Sequence, residues 1–222
     1  MACYLVSYRP LATTGRGRKA ALRDGLPLFV DGSCRREPDF EVPMPAVTSL
    51  CRGKFFVPRL TVDDLLVYMT VKSAFGDPAE PAHYRLTACF RVIDISASHE
   101  EAAVWYRTRG LAIPNNCMLQ DSFPKPYSQT NGRNDGWLRG QPEQTKLRRW
   151  NGEYKIRAAA VPVVAHCDPL FLNIVNPPKF SSNDLVQIFK RVPGTQTPTA
   201  LPREHISLLL RTVIGCEMDA FF

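Results

Sequence analysis

The sequence lacks the features that define several broad classes of protein. No apolar run approaches about 18 uninterrupted residues, so no segment is predicted to cross a membrane. The start, MACYLVSYRPLATTG, has no basic residues leading into a long apolar run, and it predicts a first strand in place of a signal peptide. The seven cysteines form no C-x-x-C pair, which argues against a disulfide framework. We therefore expect a protein of the reducing cytoplasm.

Motifs for common cofactors and nucleophiles are also missing. The chain has no phosphate-binding P-loop, no dinucleotide-binding glycine fingerprint and no nucleophile elbow around a serine. The adjacent pair His166 and Cys167 lacks partners at the spacing of a zinc site. The sequence thus predicts no cofactor, no metal ion and no catalytic residue.

One short motif keeps an enzyme open as an alternative. Glu153, Tyr154 and Lys155 match the E-x-K half of a metal-dependent nuclease signature. In that signature the acid helps to bind Mg²⁺ and the lysine stabilises charge at phosphorus; Asp39 or Asp135 could supply the second acid. The match is short enough to arise by chance in a chain of this composition.

The composition itself is that of an ordinary folded domain with excess positive charge. The 222 residues are 45% hydrophobic and 22% charged, which favours a single domain over residues 1–222. The net charge is +7, mostly from arginine, whose planar group suits phosphate recognition. A nucleic acid or nucleotide is therefore a natural partner.

Hydrophobic patterning predicts an α+β fold. Strands are predicted at residues 2–8, 65–71, 84–95, 154–164 and 169–175, and the second and third of these as antiparallel neighbours. In the third, Leu86, Ala88, Phe90 and Val92 should share one face. Helices are predicted after Ser98, after Ser181 or Ser182, and from Pro202. The segment 15–19, GRGRK, is interpreted as a flexible surface loop.

A long irregular segment interrupts this pattern. Residues 113–145 are dense in Pro, Asn, Gly and Gln and show no regular periodicity. Such a loop within one domain is typically functional or disordered. It is predicted as an insertion, and it also leaves open a third hypothesis, a domain that docks a protein partner.

Two groups of basic and aromatic residues suggest a binding surface. The first lies around the stretch DGSCRREPDFE and the segment that follows, and the second lies near residue 150. An extruded base is usually held by aromatic faces, while arginines contact the flanking phosphates. The candidate residues are Ser33, Arg35, Arg36, Arg52, Lys54, Trp137, Arg149 and Trp150.

The order of elements resembles the PUA-like superfamily, which includes EVE, YTH and ASCH domains. Residues 60–95, LTVDDLLVYMTVKS and HYRLTACFRVIDI with a turn-rich link between them, carry the resemblance, and the helix SHEEAAVWYRTRG supports it. Asp63 replaces the usual glycine, and the tryptophan-rich start that would supply an aromatic cage is missing. Only the strand-end residues Thr70, Lys72 and Ser73 therefore carry over as candidate ligand contacts.

The resemblance implies a small, curved, mostly antiparallel β-barrel flanked by helices, with a pocket that accepts a base. It places the stretch DGSCRREPDFE near the mouth of that pocket, with Arg35 and Arg36 where phosphates pass. The leading hypothesis is a non-catalytic module that binds DNA or RNA and accommodates a flipped, natural or modified, base. The alternatives are a nuclease or other nucleotide hydrolase and a protein-interaction domain. The sequence gives no sign of oligomeric state.

Overall fold

A mixed β-sheet organises the chain. The structure, a computed structural model, describes residues 1–50, 52–132, 138–195 and 197–216. Within them the sheet has seven strands: β1 (Cys3–Tyr8), β2 (Ala46–Val47), β3 (Leu65–Thr70), β4 (Tyr84–Ser96), β5 (Val164–Leu172), β6 (Lys179–Phe180) and β7 (Ala200–Leu201). The predicted first strand is confirmed, as are the two central ones, β3 and β4, which pair antiparallel.

The sheet is open, and the prediction of a closed barrel is wrong. Its strand order is β2-β5-β4-β3-β1-β7, with β6 paired to the start of β4. The β1–β3 pair is parallel and the other pairs are antiparallel. The end strands β2 and β7 contribute two residues each, which is too little backbone to join the two edges by a ladder of hydrogen bonds. The α+β class, with a mostly antiparallel sheet, is confirmed.

Five α-helices are present in the described part of the chain: α1 (Gly15–Asp24), α2 (His99–Thr108), α3 (Glu143–Ala160), α4 (Ser182–Phe189) and α5 (Arg203–Ile214). The predicted starts of α2, α4 and α5 are confirmed, because Ser98, Ser181 and Pro202 occupy the N-cap positions. None of the described helices is both long and apolar enough to cross a membrane.

Two predictions about local structure are wrong in ways that matter for the site. Residues 154–160 are helical and belong to α3, because the run is rich in Ala, Lys and Arg, which favour helix, and buries Tyr154 and Ala158 at helical spacing. Residues 15–19 open α1. There Gly17 packs so closely on Leu11 that an added Cβ would lie 2.1 Å from the Leu11 carbonyl oxygen.

A β-bulge in β4 changes which side chains face which core. Tyr68 pairs with Ala88, but the next residue, Met69, pairs with Leu86, so one residue of β4 is left unpaired. As a result Leu86 lies in one core cluster, while Ala88 and the two alternate residues after it lie in the other. The prediction that all four share a face is therefore wrong for Leu86 alone.

The two faces of the sheet are covered differently. One face packs against α4 and α5, whose contributions to this core are Leu185, Ile188, Phe189, Ile206, Leu209 and Leu210. The other face is rich in aromatic side chains and is covered by chain that precedes β3, including Phe40, Phe56 and Val57. This second, aromatic face supports the site described below.

The predicted insertion at residues 113–145 packs closely against the rest of the chain. Its described part is largely irregular, with a 3-10 turn at Tyr127–Gln129, and its last three residues belong to α3. Asn116, Cys117 and Thr130 are buried within it. The segment therefore packs beside the aromatic face of the sheet.

Candidate functional site

A cavity of about 330 Å³ lies over the aromatic face of the sheet, beside the end of β1. Tyr8, Phe56 and Tyr68, which belong to the aromatic core of this face, are part of its lining. These rings are fixed in place: the Tyr8 hydroxyl donates to the Phe29 carbonyl at 2.5 Å, and the Tyr8 and Tyr68 ring centroids are 6.4 Å apart. The volume falls within the range of about 300–1,000 Å³ seen for small-molecule pockets.

The stretch Asp31–Glu37 supplies one polar wall of the cavity. Asp31, Ser33 and Glu37 all line it. Asp31 Oδ1 accepts hydrogen bonds from the backbone amides of Ser33, at 2.9 Å, and Glu37, at 3.2 Å, and from the Ser33 hydroxyl. An aspartate that accepts amides two residues on stabilises a turn. The turn in this case places two carboxyl groups at the cavity.

Glu37 is held in a dense hydrogen-bond network. Its carboxyl accepts from the Thr48 amide at 2.9 Å, from the Thr48 hydroxyl at 2.5 Å and from the Asn116 side-chain amide at 2.9 Å. Burial nevertheless raises the pKa of Glu37 to about 8, because the charged form has lost its water. Burial also raises the pKa of Asp31 above its ordinary value.

Helix α3 supplies the opposite wall. Trp150, Tyr154 and Arg157 lie on one face of this helix and line the cavity, because residues four and three apart stack along a helix. Trp150 is half-buried and packs on a small core formed partly by Tyr154. Arg157 is oriented by a 2.7 Å hydrogen bond to the Leu50 carbonyl, with its guanidinium carbon 5.7 Å from the Tyr154 ring centroid.

Positive charge gathers at the rim. Arg9 and Arg157 line the cavity, as does the ring of Tyr127. The guanidinium carbon of Arg16 lies 4.3 Å from the centroid of that ring, and the amine of Lys146 lies 5.5 Å from it. Arg16 also pairs with the Glu143 carboxylate at 2.9 Å. Cations clustered at the mouth of a cleft create a positive potential that attracts anionic ligands. The mouth of the cavity therefore suits a ligand that carries negative charge outside a planar core.

The two arginines predicted to contact phosphates are buried structural residues. Arg35 and Arg36 have 0% of their surface exposed. Arg35 donates to the Asn151 side chain, to the Asn115 carbonyl and to both the hydroxyl and the carbonyl of Ser122. It thereby ties the Asp31–Glu37 stretch to α3 and to the irregular segment. This burial does not fit the predicted phosphate contact.

Arg36 holds the turn itself. Its guanidinium donates to the carbonyl oxygens of Asp31, at 2.8 Å, and Ser33, at 2.9 Å, and pairs with the Glu41 carboxylate at 2.7 Å. A further bond reaches the Gln129 carbonyl. In this stretch Asp31, Ser33 and Glu37 line the candidate cavity, whereas the side chains of Arg35 and Arg36 are buried behind its wall.

The remaining candidate residues are spread over three places. Trp150 lines the cavity, and Arg149 is exposed on the same helix. Lys54 is exposed with its amine 4.7 Å from the Phe55 ring centroid, in the turn Arg52–Phe55 that contains Arg52. Trp137 lies outside the described residues.

The strand-end residues carried over from the resemblance do not line the cavity. Thr70 is buried, and its hydroxyl accepts from the Arg85 amide at 2.9 Å. Lys72 is exposed, and the Ser73 hydroxyl accepts from the Phe75 amide. Their bonds serve the turn between β3 and β4, and they stay predictions as ligand contacts.

The residues of the nuclease-like motif do not converge. Glu153 and Lys155 are both exposed on α3, and positions two apart on a helix point to different sides. Among the described residues no group of three or more His, Cys, Asp or Glu side chains could hold a metal ion. Asp39, one of the nominated partners, is buried and accepts from the amides of Glu41 and Asn115.

Sequence reasoning missed most of the pocket residues. From the sequence, Tyr8 and Tyr68 are predicted only as residues of strands, and Asp31 and Glu37 are not among the candidate ligand contacts. The available signal was the Asp-Gly turn followed by an acid six residues after the aspartate, but nothing in the sequence shows that this turn closes over two tyrosines from strands β1 and β3.

Comparison of the chain with models of protein families, with curated proteins and with solved structures finds no significant match. The resemblance to the PUA-like superfamily therefore stays a prediction.

Proposed function

We propose that the chain is a nucleic-acid-binding module that holds a single extruded base, natural or modified, in the cavity over β1 and β3. The observation that carries the proposal is the composition of this cavity. Aromatic rings from the sheet and from α3 surround a space for one planar heterocycle, and two carboxyl groups lie at its polar wall. This is the combination used to hold a base by stacking and by its polar edge.

The charge around the cavity supports an oligonucleotide as the ligand. Arg9 and Arg157 line the cavity itself, while Arg16 and Lys146 lie against Tyr127 at its edge. The whole chain carries a net charge of +7. Phosphates next to an extruded base would lie at this rim, where each contact with a cation releases counterions.

We expect Trp150→Ala to weaken binding of short single-stranded oligonucleotides about 5- to 150-fold, because loss of one stacked aromatic removes roughly 1–3 kcal/mol. Fluorescence anisotropy with labelled DNA and RNA, with and without modified cytosines, measures this. Ile156→Ala is the matched control, since Ile156 is an exposed residue of the same helix and should leave the affinity unchanged. Equal affinities for the wild type and Trp150→Ala, or no binding at low salt, would overturn the proposal.

A further inference from the structure

The two oxygens of the Asp31 carboxylate differ in the hydrogen bonds that they accept from the protein. Asp31 is only 5% exposed. Among the described residues, its hydrogen bonds come from the Ser33 amide, the Ser33 hydroxyl and the Glu37 amide, and all three reach Oδ1. The second oxygen, Oδ2, receives none of them. Because Asp31 lines the cavity, Oδ2 is the oxygen of this carboxylate that can accept a hydrogen bond from a molecule held there.

Arg36, five residues after Asp31, does not donate to Oδ2 in any of its hydrogen bonds. The Arg36 guanidinium donates to the backbone carbonyls of Asp31 and Ser33 and pairs with Glu41. Its Coulombic effect on Asp31 is the smallest of the influences that favour the charged form, and burial outweighs them. A ligand in the cavity can therefore donate to Oδ2 without displacing any of the hydrogen bonds to Oδ1.

We propose that Asp31 selects bases that present an amino group, such as cytosine and its 5-substituted forms, over their oxo counterparts, such as uracil. The inference rests on the proposed function and deepens it. A base amino group would donate one N–H to Asp31 Oδ2, while its ring lies among Tyr8, Tyr68 and Trp150. A base with a carbonyl oxygen at the same position would bring two acceptors together, which is repulsive.

A site built to accept a hydrogen bond discriminates strongly against a ligand that lacks the donor, since its own buried polar atom is then left unpaired. For one charge-assisted bond we expect cytidine to bind about 10- to 100-fold more tightly than uridine. Isothermal titration of the purified chain with the two nucleosides measures this ratio.

Asp31→Asn tests the role of the oxygen directly. The amides of Ser33 and Glu37 require an acceptor at the Oδ1 position, so the new amide group must place its N–H₂ where Oδ2 was. The variant keeps the turn and converts the acceptor in the cavity into a donor. We expect its preference to invert, with uridine about tenfold or more tighter than cytidine.

Asp77→Asn is the matched control. Asp77 also accepts an amide two residues on, that of Ala79, at 2.9 Å, but it is exposed and lies in the turn before β4, away from the cavity. This variant should retain the wild-type preference for cytidine. Circular dichroism and thermal unfolding of both variants show whether each is folded.

A measurement on the wild-type chain keeps the inference testable if Asp31→Asn does not fold. N4,N4-dimethylcytidine has no N–H donor on its amino nitrogen, and we expect it to bind at least tenfold more weakly than cytidine. N3-side contacts and stacking are retained. Equal binding of cytidine, uridine and the dimethylated nucleoside would overturn the inference.

The two proposals fail in different ways. If oligonucleotide binding depends on Trp150 but cytidine and uridine bind equally, the base pocket stands and the role of Asp31 is wrong. If Asp31→Asn keeps the wild-type preference, the same conclusion follows. If the chain binds neither oligonucleotides nor nucleosides, both proposals are wrong.

Discussion

At the scale of single residues, Glu37 shows how burial and hydrogen bonding compete. Glu37 is 5% exposed, and its carboxyl accepts three hydrogen bonds, which favour the charged form. Burial is the larger effect and raises its pKa from an ordinary 4.5 to about 8. The folded protein therefore keeps a proton on Glu37 at pH values where the unfolded chain has released it.

This difference predicts a pH-dependent stability. Because the folded-state pKa is raised, the contribution of Glu37 is fully present below pH 4.5 and is lost as the pH rises through about 8. The free energy of unfolding should fall by roughly 2–4 kcal/mol more in the wild type than in Glu37→Gln between about pH 5 and pH 8. Urea unfolding at the two pH values measures this.

Glu204→Gln serves as the control for that experiment, because Glu204 is an exposed carboxyl on α5 and its replacement should leave the pH dependence of the wild type unchanged. The same pH dependence in the wild type and in Glu37→Gln would show that Glu37 is charged in the fold.

At the scale of elements, capping decides where the helices begin. The Ser181 hydroxyl accepts from the amides of Asn183, at 3.1 Å, and Asp184, at 3.2 Å, while Asp184 accepts from the Ser181 amide at 2.6 Å. This reciprocal arrangement satisfies amides that the first turn leaves without partners. It starts α4 at the position that lets Leu185 and Ile188 enter the core on the face opposite the cavity.

We expect Ser181→Ala to lower the free energy of unfolding by about 1–2 kcal/mol, because the helix loses its cap. Denaturant unfolding followed by circular dichroism measures the change. The neighbouring Ser182→Ala should change stability by less than about 0.5 kcal/mol, since Ser182 lies within the helix. Oligonucleotide affinity should be unchanged in both variants; a loss in Ser181→Ala alone would mean that α4 is coupled to the cavity.

At the scale of the whole molecule, the positive charge predicts how binding responds to salt. With about three phosphate contacts on a single strand, affinity should fall roughly 10- to 20-fold between 50 and 200 mM salt. A neutral nucleoside is the control, because it fills the cavity but brings no phosphate, and its affinity should hardly change. Titrations of both ligands over this range measure the difference.

An equal response to salt would show that the positive charge at the mouth of the cavity does not contact phosphates. If oligonucleotide and nucleoside affinities responded equally to salt, then Arg9, Arg16 and Lys146 would not be contacting phosphates, and the positive charge of the chain would serve solubility alone.

Much of the fold could be predicted from the sequence, because local patterns reflect local physics. The apolar run of β3, the alternation of β4 and the serine caps of α2 and α4 each depend on residues close together in the chain. The sequence also determined the net charge and the absence of familiar catalytic motifs.

Only the tertiary structure decided what the stretch Asp31–Glu41 does. Packing against α3 and the irregular segment buries Arg35 and Arg36 and turns Asp31 and Glu37 toward the aromatic face of the sheet. The barrel prediction failed for a similar reason, since closure depends on the lengths of distant edge strands. Long-range packing determines burial, strand register and which residues far apart in sequence come together. These features therefore cannot be predicted from local sequence patterns.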